Sequence, residues 1–275
     1  MYKYLEVSST CLSIKIKLEV TCACRHTTIP AMMLPIGLDI YEIMRKFIFD
    51  VDGTITPSRQ LIVTEFEDYF IKFAEVNQVF IVTGSDRKKT LEQIGSRLYN
   101  TVQKVYQCSG NDVWEQDKNI KTTDIHIPCE MYAKFTSILL ESSFPIRTKN
   151  HIDIRPGLVN FSIIGRNCTP EQRAEYVEYD LIFEERNLIA AKLRNDFPEY
   201  DVQIAGETGI DITIKGKDKS QIFNDFNISD DLFFFGDKMN PNGNDYTLAE
   251  VIRKNNGKTF HVHDWRETWD YLKKL

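Results

Sequence analysis

The sequence predicts an α/β fold: an open parallel sheet of strand–helix–strand units, with a second, smaller α/β domain inserted into it. Three observations carry this. Apolar runs at 46–50 (KFIFD), 79–83 (VFIVT) and 232–236 (LFFFG) end abruptly in polar residues, as buried strands of a parallel sheet do. A helical pattern follows each run, which is the alternation of βαβ units. Between about 121 and 215 the alternation changes character and then resumes, so the parallel sheet draws on two chain segments. A chain of 275 residues, 42% of them hydrophobic, is long enough to bury a core in each part.

Residues 1–43 fit neither part. They hold three of the six cysteines (Cys11, Cys22 and Cys24), and Met44 comes just before the first strand. They are expected to form a poorly packed or disordered N-terminal extension, or to lie upstream of the true start. After the strand at 46–50, residues 64–76 (TEFEDYFIKFAEV) put Phe66, Tyr69, Phe70 and Phe73 on one helical face, with Thr64 and Glu67 spaced as a capping box. The strand at 79–83 leads to a helix over 86–99, whose apolar face carries Leu91, Ile94 and Leu98. In the middle, 158–164 (LVNFSII) and 202–214 (VQIAGETGIDITI) read as strands, and a long charged helix runs from about Thr169 to Asn195. Polar, turn-rich stretches near 118–122 and 215–218 bound this inserted domain, 121–215, within a core at 44–120 and 216–275. The core closes with a strand at 232–236, a helix over about 243–254, a strand at 258–262 and a helix from Asp264.

Composition narrows the function. A net charge of −6 argues against nucleic acid as the main ligand, because phosphate-backbone binders present a basic face. No apolar stretch reaches the roughly 18 residues of a membrane span. Lys15, Lys17 and Glu19 interrupt the early apolar region, so it makes a poor signal peptide. The cysteines are scattered, Cys22 and Cys24 are too close for a zinc knuckle, and the thiols read as reduced in a cytoplasmic protein.

The chemistry starts in RKFIFDVDGTIT, residues 45–56, where Asp50 and Asp52 stand at the end of an apolar strand. Unpaired charge beside a core is costly, but the C-terminal edge of such a strand is where open α/β sheets bind ligands. Gly53 permits a sharp turn there, and Thr54 can lock it by hydrogen bonding. VFIVTGSD (79–86) ends a strand with Thr83, Gly84 and Ser85, and Ser85 or Asp86 can cap the following helix. GKDKSQIF (216–223) offers Lys219 at a helix start, and FFFGDKMNPNGND (233–245) follows a buried strand with Gly236-Asp237 and then Asp245.

In this order the strings resemble the four motifs of the haloacid dehalogenase superfamily of phosphotransferases. The resemblance implies a Rossmann-like haloacid dehalogenase core with an inserted α/β cap domain. It implies that Asp50 is a nucleophile that becomes a phosphoaspartate and that Asp52 is a general acid/base. Thr83, Ser85 and nearby N–H groups would hold phosphoryl oxygens, and Lys219 would offset the charge. Mg2+ would be bound by Asp50, the main-chain carbonyl of Asp52, Asp237 and the neighbouring Asp245, so that a carboxylate can attack a dianion.

The inserted segment is more specific. RPGLVNFSIIGRNCTPEQR (155–173) resembles the cap of the eukaryotic-type phosphomannomutases almost residue for residue, and FDVDGTITPSRQ and GDKMNPNGNDY agree with that family too. The resemblance spans about 46–262. It implies that Arg59, Arg155, Asn160, Arg166, Arg173, Asp211 and the position of Gly209 contact the sugar phosphate, that a hexose 1,6-bisphosphate serves as activator, and that two copies pair through their caps. A mutase needs a second phosphate site, and three arginines can form it with charge-assisted contacts. Departures are also visible. Gly209 stands where the family has Ser, Lys217 where it has Trp, and Ser109-Gly110-Asn111 where it has Glu-Asn-Gly. TLAEVIRK does not show the family's acidic second-metal loop. Mannose against glucose preference therefore stays open. The leading expectation is interconversion of mannose 6-phosphate and mannose 1-phosphate. The rivals are a sugar-phosphate phosphatase on the same fold and a non-catalytic sugar-phosphate binder.

Overall fold

The computed structural model describes residues 45–275, so the expectations for residues 1–43, with Cys11, Cys22 and Cys24, lie outside the described residues. In chain order the elements are β1 (Arg45–Phe49), α1 (Thr64–Val76), β2 (Gln78–Val82), α2 (Arg87–Thr101), β3 (Lys104–Gln107), β4 (Asp112–Glu115), β5 (Lys118–Thr122), α3 (Cys129–Glu141), β6 (Ile152–Arg155), β7 (Leu158–Phe161), α4 (Pro170–Phe183), α5 (Glu185–Asp196), β8 (Tyr200–Ala205), β9 (Gly209–Ile214), β10 (Asp231–Gly236), α6 (Tyr246–Lys254), β11 (Lys258–His261) and α7 (Trp265–Leu272). They build a seven-stranded sheet, ordered β11-β10-β1-β2-β3-β4-β5, and a four-stranded one, ordered β6-β7-β9-β8.

β1 is central and pairs in parallel with β10 and β2. Its Phe49 stacks on Phe235 at 4.8 Å, and Phe235 stacks on Phe260 at 4.4 Å. This face packs on Phe66 and Phe70 of α1 and Trp265 of α7. Ile48, Phe80, Val82 and Phe234 belong to a second cluster with Leu248, Ala249 and Ile252 of α6. Helices thus cover both faces, which is why these strands read as unbroken apolar runs.

Several expectations need correction. The 118–122 stretch, expected as a turn-rich boundary, is the strand β5, antiparallel to β4 at the sheet edge. All five of its residues are exposed, so no apolar alternation marks it. Thr64 does not cap α1: the capping position is Val63, which makes no side-chain bond. The Ile62 N–H donates instead to the Gln93 carbonyl of α2 at 2.8 Å, so a tertiary contact sets where α1 begins. The strand expected over 158–164 ends at Phe161. Lys219 opens a 3₁₀ turn, Lys219–Asp225, rather than an α-helix.

The long charged helix breaks in two at Glu184, which adopts φ 49° and ψ 33°. The Asp180 carboxylate bridges the break, accepting from the Arg186 N–H at 2.8 Å and its Nε at 2.7 Å. The turn lets Ile189, Ala190 and Leu193 of α5 join Tyr176 of α4 in the smaller domain's core. A left-handed residue with a side chain costs about 1–2 kcal/mol, partly offset by the backbone entropy of glycine. Glu184→Gly is therefore expected to raise stability by about 0.5–1 kcal/mol, read as a higher urea midpoint at constant slope.

In the four-stranded sheet every pairing is antiparallel, and the register lines up Asp153, Asn160, Asp211 and Gln203 across all four strands. The alternate residues Val159, Phe161, Val202, Ile210 and Ile212 pack on Phe135 of α3, Tyr176 and Leu193. One face of this sheet is therefore apolar and buried, and the other carries a polar rung. Among the described residues, Cys108, Cys129 and Cys168 are free thiols, and no helix is long and apolar enough to cross a membrane.

Candidate active site

At the C-terminal end of β1 the chain makes a tight loop. The N–H groups of Thr54, Ile55 and Thr56 all donate to the Val51 carbonyl, and Gly53 donates to Thr56. Gly53 has φ +79°, and a Cβ there would lie 2.7 Å from Asp237 Oδ2, so the turn and the approach of Asp237 both require glycine. The locking hydroxyl is that of Thr56, which donates to the Val51 carbonyl at 3.2 Å. Thr54, expected to do this, has a buried hydroxyl with no partner. Its amide, not its side chain, holds the turn.

The loop delivers Asp50 into a buried charge cluster. Lys219 Nζ, fully buried, donates to Asp50 Oδ1 at 2.6 Å and to Asp245 Oδ1 at 2.7 Å. Asp237 accepts from Lys238 Nζ at 2.6 Å, and Asp245 Oδ2 accepts from the Lys238 N–H at 3.0 Å. Asp50, Asp237 and Asp245 each bring one oxygen within 4.8 Å of the others. Burial above all pushes Asp50 well above the usual carboxylate range, Asp245 and Asp237 add to this, and Lys219 opposes it. Burial likewise pushes Asp237 up to about 6 against the pull of Lys238. Burial works against the Lys219 ammonium, but the charges of Asp245 and Asp50 outweigh it and hold its pKa above the ordinary value. Three carboxylates on so few cations, all oxygen donors, suit a hard divalent ion.

Asp52 points elsewhere. Its Oδ1 accepts from the Arg59 N–H at 2.6 Å and Gln93 Nε2 at 2.8 Å, and its Oδ2 from Lys89 Nζ at 3.1 Å. Burial alone would raise its pKa, but Lys89 and these donors bring it below the ordinary value. Its side chain lies outside the three-carboxylate cluster.

Thr83 and Ser85 are buried at the end of β2, where the Ser85 N–H donates to Thr83 Oγ1 at 3.1 Å and Asp86 caps α2. Facing them is the polar rung of the smaller sheet. Arg155 donates to the Gly84 carbonyl at 2.6 Å and to Asp153 Oδ2, which joins the two sheets across the cleft. Asn160 donates to Asp211 Oδ1 at 2.7 Å and accepts from Arg166 at 2.9 Å. Burial, together with the charges of Arg155 and Arg59, lowers Arg166 to about 10. Such crowding of like charge is what an incoming anion relieves. A Cβ on Gly209 would meet Asn160 Nδ2 at 2.5 Å, so the Asn160 amide occupies the space a side chain there would need.

One cleft is lined by Asp50, Asp52, Thr83, Ser85, Arg59, Arg155, Asn160, Arg166, Asp211 and Asp237. Lys219 and Asp245 sit behind Asp50. Arg173 does not line this cleft: it lies in a neighbouring depression with Cys168 and Glu207, and Arg59 borders both. Arg173 is 3.4 Å from Thr208 Oγ1 and 3.8 Å from Glu207. Sequence reading missed Lys89, Gln93, Lys238 and Asp153. The spacing of Lys89 and Gln93, one helical turn apart in DRKKTLEQ, was a usable signal. For Asp153 it was the step of two from Arg155 along one strand.

Residues 66–275 match the family described as eukaryotic phosphomannomutase, a span that begins after the Asp50–Asp52 loop. Phosphomannomutase 1 of Dictyostelium discoideum is 30% identical over 240 residues, covering 83% of this chain and 95% of its own length. The phosphomannomutase of Arabidopsis thaliana is 31% identical over 214 residues, 74% of this chain and 86% of its own. Among solved structures, an IMP-bound, N-terminally truncated IMP-nucleotidase of Plasmodium falciparum has a TM-score of 0.55 at 14% identity, covering 86% of this chain and 69% of that one. A haloacid dehalogenase-like hydrolase from Bacteroides thetaiotaomicron has a TM-score of 0.52 at 11% identity, covering 84% and 99%. At such identities the likeness shows the fold alone, a haloacid dehalogenase-like core with a cap.

Proposed function

This chain belongs to the eukaryotic phosphomannomutase family, isomerases of haloacid dehalogenase-like fold, and on that premise we propose that it interconverts mannose 6-phosphate and mannose 1-phosphate through an aspartyl phosphate and a hexose 1,6-bisphosphate. The observation that carries this is that one cleft is lined both by Asp50 and Asp237 of the carboxylate cluster and by the cationic Arg155, Arg166 and Arg59, so it offers a reacting centre and a separate anion site. A phosphatase needs only the first.

Lys219 holds Asp50 Oδ1, so Oδ2 is the oxygen we assign to attack phosphorus. Mg2+ bound by Asp50, Asp237 and the Asp52 main-chain carbonyl, with Asp245 beside them, would lower the repulsion between a carboxylate and a phosphate dianion. Thr83, Ser85 and the α2 N-terminus hold the phosphoryl oxygens. With Asp50 phosphorylated, Asp52 starts as a carboxylate and takes the proton of the attacking sugar hydroxyl, and in the second half it returns that proton to the leaving sugar oxygen as the P–O bond breaks. Arg155 and Arg166 grip the phosphate that is not reacting. Asn160 and Asp211 order Arg166 and meet sugar hydroxyls, with Gly209 leaving them room, and Arg173 with Arg59 guides the anion in. The bisphosphate turns round between half-reactions and primes Asp50 as activator. In this reading 44–120 and 216–275 form the core, which β5 carries on to Thr122, the rest of 121–215 forms the cap, and the protein works in the cytoplasm as a homodimer paired through its caps.

The test is a coupled assay on mannose 1-phosphate, with and without hexose 1,6-bisphosphate, in the parent and in Arg166→Ala. Bisphosphate-dependent formation of mannose 6-phosphate is expected in the parent, and free phosphate alone would mean a phosphatase. Loss of a charge-assisted contact costs about 1.5–3 kcal/mol, so Arg166→Ala should slow isomerisation about 10- to 150-fold. Slow hydrolysis of acetyl phosphate, which has no second phosphate, should survive. Equal losses in both would remove the two-phosphate argument.

A further inference from the structure

Lys89 and Gln93 converge on Asp52, a carboxylate that stands apart from the buried cluster. Both lie on α2, one turn apart and so on one helical face. The helix is fixed there: Asp86 accepts from the Lys89 N–H at 2.8 Å, and the Gln93 carbonyl accepts from the Ile62 N–H at 2.8 Å. Gln93 is buried and reaches Asp52 Oδ1 from the core side, where the Arg59 N–H also binds. Lys89 lines the cleft and reaches Oδ2. Two fixed donors on one oxygen settle the plane of the carboxylate. The other oxygen has a single side-chain partner, Lys89, which itself lines the cleft.

We propose that Gln93 and Lys89 are positioning residues: they aim Asp52 so that Oδ2, not Oδ1, exchanges the proton with the sugar oxygen. This rests on the role given to Asp52 above. Gln93 and the Arg59 amide keep Oδ1 occupied through the whole cycle, while Lys89 directs Oδ2 and yields to the sugar oxygen as it arrives.

The experiment compares two esters in Lys89→Met, Lys89→Arg and Gln93→Met. Mannose 1-phosphate needs its leaving oxygen protonated. p-Nitrophenyl phosphate does not, and single-turnover release of p-nitrophenolate reads attack by Asp50 alone. Misplacing a reacting group by about 1 Å costs on the order of 100-fold. Lys89→Met and Gln93→Met are therefore expected to lower kcat on mannose 1-phosphate about 10- to 100-fold, with KM changed less than about 3-fold and the p-nitrophenolate step largely kept. Lys89→Arg should recover most of the loss. Gln93 is buried, so its variant is scored by the ratio of the two rates, in which the folded fraction cancels. A raised KM at unchanged kcat would assign Lys89 to phosphate binding and overturn the proposal, as would equal losses on both esters. If the parent releases only free phosphate from mannose 1-phosphate, the mutase reading fails, yet the contrast between the two esters still decides what Lys89 and Gln93 do.

Discussion

Asp50→Asn is expected to abolish turnover of every phosphate ester, by about 10⁴- to 10⁶-fold, the span of losses seen when single members of a catalytic triad are removed. An amide in the same place cannot attack phosphorus, and nothing else at the end of β1 can take over. Asp52 is held by Lys89, Gln93 and the Arg59 amide, while Asp237 and Asp245 are tied to Lys238 and Lys219. The same change should not unfold the protein. Burial and two neighbouring carboxylates make ionised Asp50 unfavourable where it stands, so a neutral isostere relieves repulsion. In metal-free buffer the variant should melt at or above the parent temperature. Activity within tenfold of the parent, by single-turnover assay with radiolabelled phosphate ester, would rule out the aspartyl phosphate.

Lys219→Met is the second large effect, and it falls on stability as well as rate. Lys219 is wholly buried and bonds both Asp50 and Asp245. Removing one partner from a buried ion pair typically costs about 3–5 kcal/mol, because the charge left behind is uncompensated. Asp50 already has a raised pKa with Lys219 present, and losing that ammonium raises it further. A carboxylate whose folded pKa exceeds its unfolded value weakens the fold as pH rises through the interval between the two. The deficit of the variant against the parent should thus grow from pH 5 to pH 8, by urea titration in metal-free buffer. A deficit independent of pH would place the cost in packing rather than in charge.

Much of the site was legible because it is local. Asp50, Asp52, Thr83, Ser85 and Asp237 all lie at or just beyond the ends of apolar strands, and the order of strands in a parallel sheet brings those ends together. Arg155, Asn160 and Arg166 likewise come from adjacent strands and the loop after them. The helix break at Glu184 was not legible, since no glycine marks it and only packing of α5 under the smaller sheet rewards the turn. Nor was β5, whose exposed residues follow no hydrophobic period.

The amino-acid order by itself determined which residues stand at strand ends and which runs are buried on both faces, because burial leaves its period in the chain. Tertiary structure alone decided which side chains meet. Thr56 rather than Thr54 locks the loop after β1, because its hydroxyl is the one that reaches the Val51 carbonyl. Arg173 is parted from Arg155 and Arg166, because α4 starts beyond the edge of their cleft and faces Glu207 and Thr208. Asp52 accepts from Lys89 and Gln93, residues 37 and 41 positions away in the chain: their shared helical face was readable, but which carboxylate that face meets was not.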